Sequence, residues 1–310
     1  MKHAKLFIAF VCILVMLGVT SCSSGSDDEP TNSTLTNPTE RKLIIEVGTN
    51  SWLDENGNAR ETRGAVTTTE TLQGFLMNWY QSEDYQSQYT VSRGSNNDWN
   101  PAPGNWPSSV ANDTPISFYA HTAGNFYYKD GNRYISFSAE NAAANQHDLL
   151  LSKITDVTYT GTGGVIWFTF DHACAAVDFN IQITNKLWTQ LGTGLTVNSV
   201  VLKNIARTGD CYYSTGEWKD VGKPQGNESS GYTDYTLTQG QLTVTTTPQA
   251  LSCNTMFIIP QTLGANAKLV IDYTFNGQTK TTAEISLEGT EWKAGHLYPI
   301  NIVLGTTLIK

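Results

Sequence analysis

Residues 165–183 read VIWFTFDHACAAVDFNIQI, and their pattern decides how the rest of the chain is read. The second half alternates: Val177, Phe179, Ile181 and Ile183 fall on one side, Asp178, Asn180 and Gln182 on the other. Period two marks a β-strand with one dry face and one wet face. The first half is apolar on both sides, with Ile166, Phe168 and Phe170 opposite Val165, Trp167 and Thr169. Such a strand is covered on both faces or stands at a contact. Between the halves, Ala173-Cys174-Ala175-Ala176 supplies small side chains where a bend or a close backbone approach can form. Two strand segments joined by a bend, in the core of a β-sandwich, are expected.

The surrounding composition agrees with strands. The chain has 310 residues, enough for two domains of ordinary size. Apolar residues make up 39%, so a core can form, while charged residues are only 15%, low for a cytosolic enzyme. Thr, Asn, Gly and Tyr carry much of the polarity, which suits strands and turns. A formal net charge of -9 without basic clusters argues against nucleic-acid binding. Asp130-Gly131 and Asn276-Gly277 are strong hairpin turns. Residues 69–80 fit a helical stripe (Leu72, Phe75, Leu76, Trp79) or a bulged strand, and the threonines before them favour the strand. Residues 139–146 suggest one short helical turn. Residues 93–109 form a long loop broken by Pro101, Pro103, Gly104 and Pro107. Its Trp99 and Trp106 either fold back onto the domain or stand exposed. Short strands between turns over about 250 positions suggest two sandwiches.

The N-terminus is a bacterial export signal over residues 1–21. Lys2 and Lys5 precede an apolar run, residues 6–19, shorter than the roughly 20 residues that span a bilayer. Val19-Thr20-Ser21-Cys22 resembles a lipobox, which makes Cys22 the lipidated first residue of the exported chain. Several acyl chains there would anchor it stably. Residues 23–38 are polar and read as a flexible tether. Asp27-Asp28-Glu29 resembles an export signal of surface lipoproteins in Bacteroides-like bacteria, or is plain solvated linker. Arg63-Gly64 stands in a polar loop and is a candidate cut for a trypsin-like protease.

No motif carries chemistry. Neither HExxH, CxxC nor GxSxG occurs, and the glycine run 161–164 lacks the Lys-Ser/Thr of a phosphate loop. His147-Asp148 are sequence neighbours, which point to opposite faces of a strand. His172 reads as a satisfied core or boundary histidine. Cys174, flanked by alanines, reads as a small buried side chain. In an exported chain Cys211 and Cys253 are the first pair to consider for a disulfide, since both lie in the second body. No enzyme, cofactor or metal site is expected.

Several segments in order resemble a known family. Asp148-Leu149-Leu150-Leu151-Ser152 comes first, then residues 165–170, then His172-Ala173-Cys174-Ala175-Ala176-Val177-Asp178-Phe179-Asn180-Ile181. Glu291-Trp292-Lys293-Ala294-Gly295-His296-Leu297-Tyr298-Pro299-Ile300-Asn301-Ile302 closes the set. With the export signal, they resemble the fimbrillin-like proteins of Bacteroides-type bacteria, lipoprotein-precursor pilins and their minor subunits. The histidine, the small residues and the alternating strand match that family's core segment. The Trp-Lys-x-Gly-x-x-Tyr run matches the entry to its last strand. The chain departs at Cys174, where the family commonly has Leu, and at Ala176, where it commonly has Lys or Arg.

The resemblance implies an all-β fold of two tandem transthyretin-like Greek-key β-sandwich domains, residues 64–185 and 186–310. It implies export as a lipoprotein to the outer membrane and cell surface. A cut between Arg63 and Gly64 would then remove the leader, residues 22–63, with its lipid and a first strand. Partners would be other pilus subunits, in a homo- or hetero-polymer, and a host or bacterial surface ligand supporting adhesion. Shaft, tip and anchor roles stay open. Removing a strand bares an apolar groove and two rows of unpaired backbone groups, which an incoming strand satisfies. The C-terminal segment is a candidate donor through Leu297, Ile300, Ile302 and Leu304, with Leu308 beyond. Pro299 has no N–H, so it marks a strand start or an edge. The same segment can equally be the last strand of its own sheet. The alternative function is a surface glycan-binding lipoprotein of a nutrient-uptake system, with Trp52, Trp99, Trp106 and Trp218 as stacking platforms.

Overall fold

The central stretch forms two strands, Val165–His172 and Ala175–Ile183, joined at the small residues. The computed structural model describes residues 41–60, 72–227, 229–251 and 255–309. Within it the bend hands the chain from one apolar cluster to another. Ile166, Phe168 and Phe170 are buried in the first cluster, with Leu43, Ile45, Phe75, Met77 and Trp79. Cys174, Val177, Phe179, Ile181 and Ile183 are buried in the second. The outer side of Val165–His172 is bare: Trp167 is 62% exposed and Val165 39%.

Seven strands surround the first cluster. Their order is Ile44–Thr49, Val165–His172, Leu150–Val157, Ile116–His121, Gly74–Gln81, Asp84–Arg93 and Trp99–Ala102, closed into a barrel. The fold is all-β, as expected, but this half is closed rather than an open pair of layers. The closure is thin. Ile45 with Trp99 makes one seam, and Leu150 with His172 and Leu151 with Asp171 make the other. Closing these corners gives partners to backbone groups that an open edge would leave unpaired. Gly74–Gln81 settles as a strand because Asp84–Arg93 and Ile116–His121 flank it on both sides. Phe75, Met77 and Trp79 then face inward together. The 93–109 loop does fold back. Trp106 is 2% exposed and meets Phe118 edge-on, with centroids 5.7 Å apart.

Several sheets share the second cluster. Leu195–Ala206 lies between Tyr232–Val244 and Lys268–Phe275. Ala175–Ile183 pairs antiparallel with Gln249–Ala250 and Met256–Ile258, and parallel with Leu297–Leu304. The hairpin Asn125–Lys129 and Asn132–Ser138 joins Thr208–Tyr212 and adds Ile135 and Phe137 to this core. Both strong turn signals are hairpins. Asp130 and Gly131 have φ of 51° and 74°, and Asn276 and Gly277 have 50° and 74°. Two positive φ values give the turn a twist that matches the strands. Among the described residues helix is confined to short pieces, Tyr159–Thr162, Asn185–Leu191 and the 3-10 turn Ala143–Asn145. By backbone contacts, residues 41–310 form one compact unit.

Candidate functional site

Three parts of the chain that are remote in sequence meet at the central bend. Two lie at its ends: the segment after the first strand, and the entry to the last. The first strand, Ile44–Thr49, lies parallel on Val165–His172 over six residue pairs and buries Ile45 in the first cluster, beside Leu43. The last strand, Leu297–Leu304, lies parallel on Ala175–Ile183 over eight pairs and buries Leu297, Ile302 and Leu304 in the second. Each half of the central stretch thus carries one parallel partner from one end of the described chain.

His172 holds the junction. Its Nδ1 lies 2.5 Å from Asp148 Oδ2, and its Nε2 lies 2.9 Å from the carbonyl oxygen of Asn50. A carbonyl only accepts, so Nε2 donates, and one further proton is shared with the buried Asp148. Burial raises the Asp148 carboxyl pKa above the ordinary range, against the lowering effect of the histidine. The Trp52 ring stacks on the imidazole at 3.9 Å and on Phe257 at 6.0 Å. The chain that leaves the first strand therefore plants its next aromatic side chain in the second cluster. One residue on, Leu53 N–H donates to Gly295 O at 2.8 Å, and Leu53 bridges His296. Gly295 in turn donates to Cys174 O at 2.8 Å, with φ of 70°. Trp218 Nε1 donates to Ala173 O at 2.8 Å from a fourth side.

This arrangement binds chain to chain and does not prepare a reaction. Both ring nitrogens of His172 are engaged, so it offers no lone pair as a base. Cys174 and Cys211 are buried free thiols, and burial pushes the Cys211 thiol up to about 12. The neighbouring cavity, about 450 Å³, is lined by Asp171, His172, Ala173, Cys211 and Tyr213 among others. Among the described residues, no group of three or more His, Cys, Asp or Glu is placed to hold a metal.

The expected site residues fall in two groups. Cys22, Arg63, Gly64 and Cys253 lie outside the described residues. Leu297, Ile300, Ile302 and Leu304 belong to the last strand, and Leu308 packs partly buried against the second cluster. Among the described residues the last strand pairs with a single strand, so it is an edge, and Pro299 sits in it. The stacking platforms fare differently: Trp52 and Trp106 are buried at 3% and 2%, and Trp99 and Trp218 are half-buried. The Asp148–His172 pair is not visible in sequence spacing. The only signal was a carboxylate and a histidine in two segments that each belonged to the core.

The family model described as fimbrillin-like matches residues 61–310. The chain belongs to the fimbrillin-like family. A fimbrillin-like chain serves as a fimbrial, cell-adhesion subunit at the cell surface and is not an enzyme. Solved structures share the fold. A fimbrial protein from Bacteroides vulgatus is 17% identical, with 87% of this chain and 96% of that chain covered and a TM-score of 0.52. A proposed cell adhesion protein from Bacteroides ovatus is 14% identical, with 87% and 95% covered and a TM-score of 0.52. One from Parabacteroides distasonis is 12% identical, with 87% and 90% covered and a TM-score of 0.52. Among curated proteins nothing matches the chain.

Proposed function

We propose that this fimbrillin-like subunit is assembled into its fimbria by β-strand addition. Its leader segment holds the acceptor groove and the donor strand shut together. The observation that carries this is the Leu53 contact. The segment that continues from the first strand also grips Gly295 and His296, the entry to the last strand. A cut between Arg63 and Gly64 that lets residues 41–60 leave would do two things at once. It would strip the parallel partner from Val165–His172 and bare the places of Leu43 and Ile45. It would also free the backbone groups of Gly295 and His296 at the base of Leu297–Leu304. Polarity is compatible: the last strand runs parallel to Ala175–Ile183 in its own sheet as the first strand runs parallel to Val165–His172, so a donated last strand can take the first strand's place in the same direction.

Within the same proposal, Cys22 carries the lipid that holds the precursor in the outer membrane until the cut. The partners are further pilus subunits and a surface ligand. The two bodies, residues 64–185 and 186–310, are transthyretin-like sandwiches in tandem. Two separate apolar clusters support two bodies, although the second also takes Ala175–Ile183 and Asn132–Ser138. The thin seams of the barrel support a sandwich origin for the first. A Cys211–Cys253 pairing is decided by peptide mapping without reductant.

Mass spectrometry of surface material tests the scheme. Mature chains that begin at Gly64 and are joined in polymers are expected. With Arg63→Ala, the lipidated precursor should accumulate and polymer should fall sharply. Unchanged polymer in that variant would remove the proteolytic switch.

A further inference from the structure

A second feature lies on the outside of the barrel, in residues that belong to neither the first nor the last strand. The outer face of Gly74–Gln81 carries Leu76, Asn78 and Tyr80, opposite the inward Phe75, Met77 and Trp79. The hairpin arm Asn125–Lys129 stands beside this face and leaves a cleft of about 620 Å³. That is the size range of a small-ligand site. Two tyrosine rings at the cleft are open to solvent: Tyr85 is 51% exposed and Tyr128 40%, while the Tyr127 ring stacks on Tyr134 on the other face of the hairpin. The carboxamides of Asn78 and Gln88 stand at its floor, and among the described residues no Asp, Glu, Lys or Arg lines it.

The polar floor is ordered and neutral. His121 Nδ1 lies 3.0 Å from Ala123 O, a pure acceptor, so Nδ1 carries the proton. Its Nε2 then accepts from Asn78 Nδ2 at 3.4 Å, and Asn78 Oδ1 accepts from Gln88 Nε2 at 3.1 Å. Asn78 and His121 are 2% and 1% exposed, so this chain of bonds is built into the sheet. The second amide proton of Asn78 and the carbonyl of Gln88 are not used by it. The rings are braced from behind. Arg133 lies 4.2 Å from the Tyr80 centroid and 4.9 Å from that of Tyr128, and the Tyr128 hydroxyl donates to Glu83 at 2.7 Å. Tyr80 meets Tyr85 edge-on at 5.5 Å.

We propose that this cleft binds a neutral carbohydrate, one or a few sugar units long. Exposed ring faces take the C–H face of a pyranose, and carboxamides donate to and accept from its hydroxyls. A charged glycan finds no counter-ion in the lining. Rings and amides held in place before binding reduce the ordering cost that weakens shallow sites. The site uses tyrosines of the first body and not the tryptophans, two of which are buried.

Saturation-transfer NMR and titration calorimetry of the whole chain test this. The neutral probes are cellohexaose, maltohexaose, xylohexaose, mannohexaose and chitohexaose. The controls are a heparin hexasaccharide and a peptide of residues 295–310. At least one neutral probe should bind, with saturation reaching its ring protons. Tyr85→Ala and Tyr128→Ala, both at exposed positions, should each weaken it by about tenfold. Gln88→Ala should weaken it similarly. No binding of any neutral probe up to about 5 mM would overturn the proposal. So would binding that both tyrosine variants leave unchanged, or occupation of the cleft by the peptide or the anionic saccharide instead. Assembly is read separately: Arg63→Ala should leave sugar binding intact, and Tyr128→Ala should leave polymer formation intact.

Discussion

The first and last strands do the same geometric work on opposite halves of the central stretch, and they are fastened differently. Each lies parallel on its half. The last strand buries its side chains in one cluster and ends there. The first strand buries Leu43 and Ile45 in one cluster, and its continuation then plants Trp52 in the other. It is also pinned at its near end, where Arg41 donates to Val110 O at 2.6 Å and to Pro107 O at 2.8 Å. The first strand is therefore a clamp across both clusters, and the last strand is a leaf of one. A clamp is the element whose removal changes the state of both.

The largest expected effect separates the two fastenings directly. Leu304 is fully buried in the second cluster, so Leu304→Asp should cost about 4 kcal/mol or more and abolish cooperative folding by calorimetry. Ile45→Asp should instead open residues 41–60 to limited proteolysis while the second cluster keeps its own melting transition. If Ile45→Asp melts both clusters together, the independent-cluster picture fails.

Next in size is the junction. Asp148→Ala leaves His172 Nδ1 without its hydrogen-bonding partner in a buried site and should cost about 3 kcal/mol. Asp148→Asn, which keeps an acceptor, should cost less. Hydrogen exchange should speed up at Leu53 N–H before it speeds up within Leu297–Leu304. The reverse order would show that the histidine does not hold the clamp.

Acid should act on the barrel through His121. Burial lowers its pKa, so the unfolded chain takes a proton that the folded chain refuses. Stability from this group is present above about pH 6.5 and is lost as pH falls toward the lowered folded value. The slope is at most about 1.4 kcal/mol per pH unit, read from melts of the chain and of His121→Gln, which should flatten it. Asp148 acts with the opposite sign. Its raised pKa means the folded state keeps a proton longer, so its contribution weakens as pH climbs above the ordinary carboxylate range. The smallest effect is expected on the bare face. Trp167→Ala at 62% exposure should change stability by less than about 0.5 kcal/mol, while any loss of polymer would mark that face as a subunit contact.

Local features were legible in the sequence. The alternation over residues 175–183, the small-residue bend and the two hairpin turns each depend on side chains a few positions apart. Pro299 announced a strand start or an edge because a missing N–H cannot serve a central ladder, and the edge is what forms. The fimbrillin-like family was readable from ordered segments, each of moderate specificity. The cleft was not. Tyr85, Gln88 and Tyr128 look like ordinary hairpin residues until the arm Asn125–Lys129 is laid beside Gly74–Gln81.

The amino-acid sequence by itself determined an exported, all-β chain with two strands meeting at residues 172–175 and no motif for catalysis. Period and turn chemistry are properties of neighbours, so they survive without a fold. Only the tertiary structure decided that Asp148 meets His172, that Leu53 grips Gly295, and that thin seams close the first half into a barrel. Those contacts join residues far apart along the chain. Which remote groups meet is settled by how two whole cores pack, a choice that no local pattern encodes.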